Sequence, residues 1–363
     1  MTIMKKKKRK KIKLKKSVII VGIIIIAFIL LLGPIKLKFK GYSLISSFKI
    51  NSYGLRSDVL DNNYSIVLDE IINTKYFDKK FLKDYFELVY YERDDFYENI
   101  SEFLNNGYDA KSINKIDKIN DTKINQVASN KYSENLINYL DYDYFKPQLF
   151  DRYEAYYNGD YEDTLIKVNI GLDKEYYEDP NLVTKYSSTM IVNKYNKLSE
   201  NYIPPNLIEL NKCSDGGEYL TEEAKKEFDK MCDAAEADGM KLGTTSAYRS
   251  YNDQVNTYNY YLKNNGEDYS KKFVALPGFS EHQTGLAIDI KSTVASPFKT
   301  TKEYQWMLKN AYKYGFILRY PEGKENITGF NGETWHFRYV GVSVSTYIHE
   351  NGITYDEYFA IFM

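Results

Sequence analysis

The sequence predicts an α+β domain at the C-terminal end, preceded by a transmembrane helix and a mainly helical region. Three patterns predict this. In the last half of the chain, short runs alternating at period two are interleaved with stripes at period 3.6, the mark of a small, mostly antiparallel sheet flanked by helices. From residue 41 to about 160, apolar residues recur at helical spacing between Asn- and Asp-rich breaks. From 18 to 32 the chain is almost wholly apolar, with Gly22 the one break.

The 363 residues suffice for two domains plus extras. A net charge of −1 hides a strong asymmetry. Residues 1–16 carry ten Lys/Arg and no acid, which leaves −11 on residues 17–363. Taken alone, the basic run suits a nucleic-acid tail. The apolar stretch that follows argues against nucleic acid and for a membrane. As a helix, 17–33 spans about 25 Å at 1.5 Å per residue, slightly short of a ~30 Å hydrocarbon core. Ile35 and Leu37 extend it, with Lys36 and Lys38 reaching back to the interface. Ten positive charges before the span and three after it place the N-terminus in the cytoplasm and the rest outside. A cleaved signal peptide is the alternative, but no small-x-small cleavage site follows Leu32. The expected layout is a basic cytoplasmic tail over 1–16, an uncleaved anchor over 17–35 and a helical region over 36–160.

That helical region contains neither Cys nor His. Ile66, Leu68, Ile71 and Ile72 make one stripe, and Phe81, Leu82, Tyr85, Phe86 and Val89 a second. Ile113, Ile116, Ile119 and Ile124 suggest a third, and Leu136, Ile137 and Leu140 a fourth. There is a weak internal echo. Asn63-Tyr64-Ser65-Ile66 pairs with Gly107-Tyr108-Asp109-Ala110, and Tyr76-Phe77 with Tyr144-Phe145, as two copies of a helical hairpin would. The region reads as a spacer, with a wall-binding or partner-binding module as the other reading.

Residues 161–187 form a linking segment, in which 164–172 alternates partly and is expected to be a strand. The C-terminal domain is set at 188–363. Thr221 is placed as an N-cap before Glu222 and Glu223, where acids suit the helix dipole. Ala224, Phe228, Met231, Cys232 and Ala235 give that helix one apolar face, and Gly239 ends it. A strand over 241–247 leads into Tyr248-Arg249-Ser250. Helices follow at about 252–264 and 301–314, and strands at 286–290, 316–319 and 333–340. Cys213 and Cys232, the two cysteines, either close a disulfide loop worth roughly 3 kcal/mol or stay as buried thiols. Neither has the spacing of a zinc ligand.

The chemistry concentrates in residues 278–290, GFSEHQTGLAIDI, and 333–340, ETWHFRYV. Two of the three histidines, His282 and His336, sit there, with Asp289 and Glu333. Two imidazoles and one carboxylate leave a fourth zinc position open, as in catalytic sites. A further carboxylate that is not a ligand serves as the base in metal-assisted hydrolysis. Leu286, Ile288 and Ile290 alternate with Ala287 and Asp289, and Trp335, Phe337 and Tyr339 with His336 and Arg338. Asp289 and His336 are thus expected on strands, and His282 on the loop ahead of the first. The ordinary alternative, histidines packed in the core, suits His349 better than this pair.

The order Ser280-x-His282-x-x-Gly285-x-Ala287-x-Asp289, then Glu333-x-Trp335-His336, with Tyr248-Arg249-Ser250 and Gln254 upstream, resembles the zinc D-alanyl-D-alanine carboxypeptidases of the VanY type. The resemblance covers roughly residues 190–347. It implies a D-Ala-D-Ala peptidase/hedgehog-like fold and one Zn2+ held by His282, Asp289 and His336. It implies Glu333 as the general base and Arg249 and Ser280 as substrate contacts. Physically, Arg249 offers a fixed, always-charged fork to a carboxylate or oxyanion. Gln254 is read as a substrate contact or a neighbour of one, and Glu281, Gln283 and Arg338 as groups orienting the ligands. The implied substrate is the peptidoglycan stem peptide, cut at its C-terminal D-alanine. An L,D-carboxypeptidase or endopeptidase on the same scaffold, and a non-catalytic wall-binding protein, are the alternatives.

Overall fold

The computed structural model describes residues 16–116 and 121–363. The basic tail up to residue 15 and Ile119 of the third stripe lie outside the described residues. The chain divides into two compact units, Met1–Asp141 with Lys146–Gln148, and Tyr142–Phe145 with Leu149–Met363.

The first unit opens with the helix Lys16–Phe39. Its stretch Val18–Phe39 is long and apolar enough to cross a membrane. Short helices follow, among them Leu44–Ser52, Arg56–Asp61, Ile66–Ile71, Leu82–Glu87, Phe96–Asn105 and Ala110–Ile116. Leu68, Ile71, Ile72, Tyr85, Ile113, Ile116, Ile124 and Leu136 are buried. The third stripe is divided between two helices, Ala110–Ile116 and Asp121–Ala128.

The echo takes a structural form, but its first pairing shifts. The N–H groups of Lys40, Gly41 and Tyr42 donate to the carbonyls of Lys36, Lys38 and Leu37. Those of Asn106, Gly107 and Tyr108 donate to Glu102, Leu104 and Phe103 in the same pattern. Tyr108 therefore corresponds to Tyr42, and Tyr132 to Tyr64. The rings of Tyr42 and Tyr64 meet edge-on at 5.0 Å, and those of Tyr108 and Tyr132 at 5.4 Å. The Tyr76 and Tyr144 pairing keeps the offset of Tyr64 and Tyr132. A 3-10 turn and a short helix follow each, Lys79–Phe81 with Leu82–Glu87 and Pro147–Leu149 with Phe150–Tyr156.

In the second unit, the strand expected at 164–172 is a helix, Tyr161–Ile170. Asp160 caps it by accepting from Asp163 N–H, acids fill its first turn, and Gly171 ends it at φ 104°. Its buried Thr164, Leu165 and Val168 fall at i, i+1 and i+4, which is helical spacing. Local capping outweighs the partial alternation.

A four-stranded antiparallel sheet forms the heart of this unit: β1 Leu242–Ser246, β2 Ala287–Ser292, β3 Phe316–Tyr320 and β4 Glu333–Tyr339, in the order β1-β2-β4-β3. One face packs on the helix Glu222–Ala237. Ala224, Phe228, Met231 and Ala235 meet Ile288, Ile290, Phe316 and Phe337 in a continuous apolar core. Thr221 is that helix's N-cap, without a side-chain cap bond. Cys232 on the same helix is disulfide-bonded to Cys213, with Cα atoms 6.2 Å apart.

The helix Tyr251–Asn265 starts with a capping box of Ser250 and Asp253. A second helix, Glu267–Phe273, follows it directly and is not evident in the sequence pattern. The expected helix over 301–314 is an α-helix, Lys302–Asn310, with a 3-10 turn ending at Gly315. Two helices, Val342–Asn351 and Tyr355–Phe362, close the chain.

Candidate active site

The face of the sheet away from Glu222–Ala237 opens on a cleft of about 760 Å³. Arg249, Gln254, Ser280, His282, Asp289, Glu333 and His336 all line it. Three chain segments deliver them. His282 sits on a 3-10 turn, Glu281–Thr284, terminated by Gly285 at φ 67°. Asp289 and His336 face each other across neighbouring strands, paired in register between β2 and β4.

Each ring nitrogen has a defined direction. His282 Nδ1 lies 2.5 Å from Ala247 O, to which it donates, so Nε2 carries the lone pair. That Nε2 stands 3.4 Å from Asp289 Oδ1. The contact lacks hydrogen-bond alignment, and both atoms are buried without a partner. His336 Nδ1 lies 3.4 Å from the same Oδ1, while its Nε2 faces Glu281 Oε2 at 3.3 Å. One donor atom from each of His282, Asp289 and His336 falls within 4.8 Å of the others. Two unpaired buried acceptors and a second imidazole converging on one point fit a divalent cation.

The electrostatics agree. Burial, then the Arg249 charge, brings His282 down to about 4, so its imidazole is neutral at neutral pH. Burial raises Asp289, but His282 and His336 outweigh it and hold the carboxyl well below its ordinary value. Burial opposes the charge on His336, yet the carboxylates of Asp289 and Glu281 lift it to about 9. Without a cation, a proton on His336 balances these carboxylates. A cation takes over that balance and releases the proton.

Glu333 Oε2 lies 3.7 Å from His336 Nδ1. Burial, reinforced by Asp289 against the pull of His336, pushes its carboxyl up to about 8. On a regular strand, residues three apart point to opposite faces. Glu333 and His336 share one face because the pairing of β3 with β4 slips between Leu318 and Tyr320, leaving extra residues in β4. The same irregularity turns Trp335 out. The sequence places it with the apolar face of Phe337 and Tyr339, yet it is 39% exposed and lines the cleft.

Arg249 is half-buried, its Nε is inaccessible and has no partner, and desolvation lowers its pKa against the charges of Asp289 and Glu333. Gln254 Nε2 donates to Ala275 O at 2.8 Å, and its Oε1 is unpaired. Ser280 is buried at the cleft wall.

Behind the site lies a set of buried charges that the sequence pattern only partly reveals. Glu281 accepts from Arg319 Nε at 2.9 Å and Arg338 Nη1 at 3.0 Å. Arg319 continues to Asp356 on the C-terminal helix at 2.6 Å, and Asn193 donates to Asp356 at 2.9 Å. Glu281 thus touches His336, and Arg338 holds Glu281. Gln283 does not; it donates to Ser199 O and Tyr202 O and ties down the lead-in segment. Tyr320, Phe330, Tyr261 and Tyr269 also line the cleft and carry no motif that marks them. His349 lies outside this group, its ring stacked at 3.9 Å on Tyr312.

Residues 217–342 match the family described as VanY, D-alanyl-D-alanine carboxypeptidase. The chain is 38% identical over 181 residues to VanXYC of Enterococcus gallinarum, a bifunctional D-Ala-D-Ala dipeptidase and D-Ala-D-Ala carboxypeptidase, covering 47% of this chain and 93% of that protein. It is 40% identical over 184 residues to YodJ of Bacillus subtilis (strain 168), named as a carboxypeptidase, covering 47% of this chain and 66% of that protein. Among solved structures, the LdcB LD-carboxypeptidase is similar at 40% identity and a TM-score of 0.44, over 47% of this chain and 84% of that one. With nearly the whole of VanXYC matched at that identity, the chain belongs to the VanY family of D-alanyl-D-alanine carboxypeptidases.

Proposed function

We propose that this protein is a membrane-anchored zinc D,D-carboxypeptidase that removes the C-terminal D-alanine from peptidoglycan stem peptides. The observation that carries the reading is one cleft in which unpaired His282 Nε2, unpaired Asp289 Oδ1 and His336 Nδ1 converge beside a buried, separately titrating Glu333. A zinc ion held by these three donors supplies Lewis-acid polarisation of a water and of the scissile carbonyl.

The remaining steps belong to the chain's own side chains. Arg249, already desolvated and with Nε free of partners, receives the substrate's terminal carboxylate or the developing oxyanion. Gln254 Oε1 is the acceptor for a substrate N–H, and Ser280 contacts the peptide from the opposite segment. Glu333, whose raised pKa suits both directions of transfer near neutrality, takes the proton of the attacking water and passes it to the leaving amine. Glu281 holds His336 through Nε2, so that Nδ1 faces the site. The helix Val18–Phe39 is the anchor, and the helical region after it is the spacer on the wall side of the membrane.

The test is digestion of defined muropeptides by the full chain in detergent, read by mass spectrometry, with a chelator and Glu333→Gln as controls. The expected result is loss of one alanine from pentapeptide, abolished in both controls. Release of alanine only from tetrapeptide overturns the D,D assignment in favour of L,D-carboxypeptidase chemistry at the same site. No chelator-sensitive product from any muropeptide overturns the peptidase reading.

A further inference from the structure

The helix that follows the apolar span is built inside out. In Leu44–Ser52, Ser46 and Ser47 are buried, while Leu44, Ile45 and Phe48 are 51%, 67% and 45% exposed. The polar face is satisfied inward: Ser46 Oγ donates to Asp69 O and Ser47 Oγ to Ser43 O, each at 2.7 Å. At the end of the apolar span, Phe39 is 89% exposed and Ile35 is exposed beside it. A helix on a water-facing surface shows the opposite arrangement.

The second copy of the repeat is an internal control. Aligned on Tyr42 and Tyr108, Leu44 corresponds to Ala110, Ile45 to Lys111, Ser47 to Ile113, Phe48 to Asn114 and Ile50 to Ile116. Both helices are capped alike, Ser46 N–H donating to Ser43 Oγ and Ser112 N–H to Asp109 Oδ1. Ile50 and Ile116 are both buried. In the second copy, however, Ala110 and Ile113 face inward and Lys111 faces out. Asn114 bonds to Glu87 O and Val89 N. The scaffold therefore does not require an apolar outer face. The copy that has one is the copy joined to the apolar span.

Position gives the same answer. Asn51 Oδ1 and Arg56 Nη1 stand 2.5 Å and 3.1 Å from where a Cβ on Gly33 would be, so the Leu44–Ser52 helix returns alongside the end of the span. The 22 residues of Val18–Phe39 measure about 33 Å at 1.5 Å per residue, against a ~30 Å hydrocarbon core. That length sets Phe39 at the boundary of the outer leaflet, and the chain continues from there through two residues of turn into the Leu44–Ser52 helix. Exposed Lys36 and Lys38 lie at the same level, where lysines reach lipid phosphates.

We propose that the end of the span and the Leu44–Ser52 helix form an interfacial hairpin, its Phe39, Ile45 and Phe48 face seated in the outer leaflet of the bilayer. The proposal rests on the reading of Val18–Phe39 as a membrane anchor. The paired Cys213 and Cys232 leave an introduced cysteine as the single thiol. Full-length Ile25→Cys, Ile45→Cys, Phe48→Cys and Lys111→Cys variants, each carrying an environment-sensitive fluorophore, are reconstituted in phosphatidylethanolamine and phosphatidylglycerol liposomes and probed with brominated lipids. The expected result is blue-shifted emission at positions 45 and 48, quenched most by bromines near the headgroup. Position 25 is quenched most by deep bromines, and position 111 reads as water. If 25 reads deep while 45 and 48 read like 111, the hairpin is overturned and the anchor stands. Blue-shifted emission at 45 and 48 without quenching by any brominated lipid overturns it in favour of a protein partner or a second copy on that face. Water-like emission at all four overturns both readings.

Discussion

Glu333 and Asp289 are carboxyl groups in one cleft whose surroundings push them in opposite directions. Asp289 is flanked by two imidazoles that favour its ionised form, while Glu333 is buried with Asp289 as a like-charged neighbour. Such a pair suits two roles: the ionised group suits a metal ligand and the neutral-leaning one suits proton transfer. Glu333→Gln is expected to lower kcat by about 10²–10⁴-fold with metal content unchanged, checked by steady-state kinetics beside metal analysis. The raised pKa also has a stability signature. A carboxyl at about 8 in the folded chain and 4.5 in its ordinary state contributes stability that is fully present below 4.5 and lost as pH rises through 8. In chelator-treated protein, Glu333→Gln is therefore expected to flatten the fall of Tm across that window, by calorimetry at several pH values. The meeting of His282, Asp289 and His336 in one cleft was legible from spacing, because they stand in recognisable runs. That Glu333 shares a face with His336 was not, since alternation alone puts it on the other side.

At the scale of elements, the site depends on pieces distant in sequence. Asp356, on the last helix, reaches His336 only through Arg319 and Glu281. Nothing in a local pattern announces such a link, because Arg319 sits in an otherwise apolar strand and Asp356 looks like an ordinary first-turn acid. Arg319→Met leaves Glu281 and Asp356 as buried charges short of a partner. It is expected to cost roughly 3–5 kcal/mol in denaturant unfolding. Asp356→Asn is the gentler change. It is expected to lower metal affinity by about 10–100-fold through the looser hold on Glu281 and His336, measured by competition with a chromogenic chelator. The helix Tyr161–Ile170 was misread for a related reason: its side-chain alternation is visible at a glance, whereas its caps at Asp160 and Gly171 decide the matter.

For the whole molecule, the detail of the first region is set by turns that a residue pattern does not show. Helical stripes marked the first region, but the number of short helices and the pairing of the repeat depend on turns such as Gly41 and Gly107, which composition alone does not align. The bond between Cys213 and Cys232 ties the segment ahead of the sheet to the helix Glu222–Ala237. Replacing both by alanine is expected to cost about 2–4 kcal/mol and lower Tm, while leaving the metal donors in place. Calorimetry alongside metal titration distinguishes that from damage to the site.

The slipped pairing in β4 also limits where this chemistry can be transplanted. A designer who grafts Glu-x-x-His onto a regular antiparallel ribbon would put the proton carrier on the reverse of the sheet from the ligand. The graft has to include the local extra length of strand and a solvent-facing home for the tryptophan between them. Natural drift faces the same constraint: a change that straightens this part of β4 while keeping both residues between Glu333 and His336 separates the two functions in a single step, even though every side chain of the motif is still encoded.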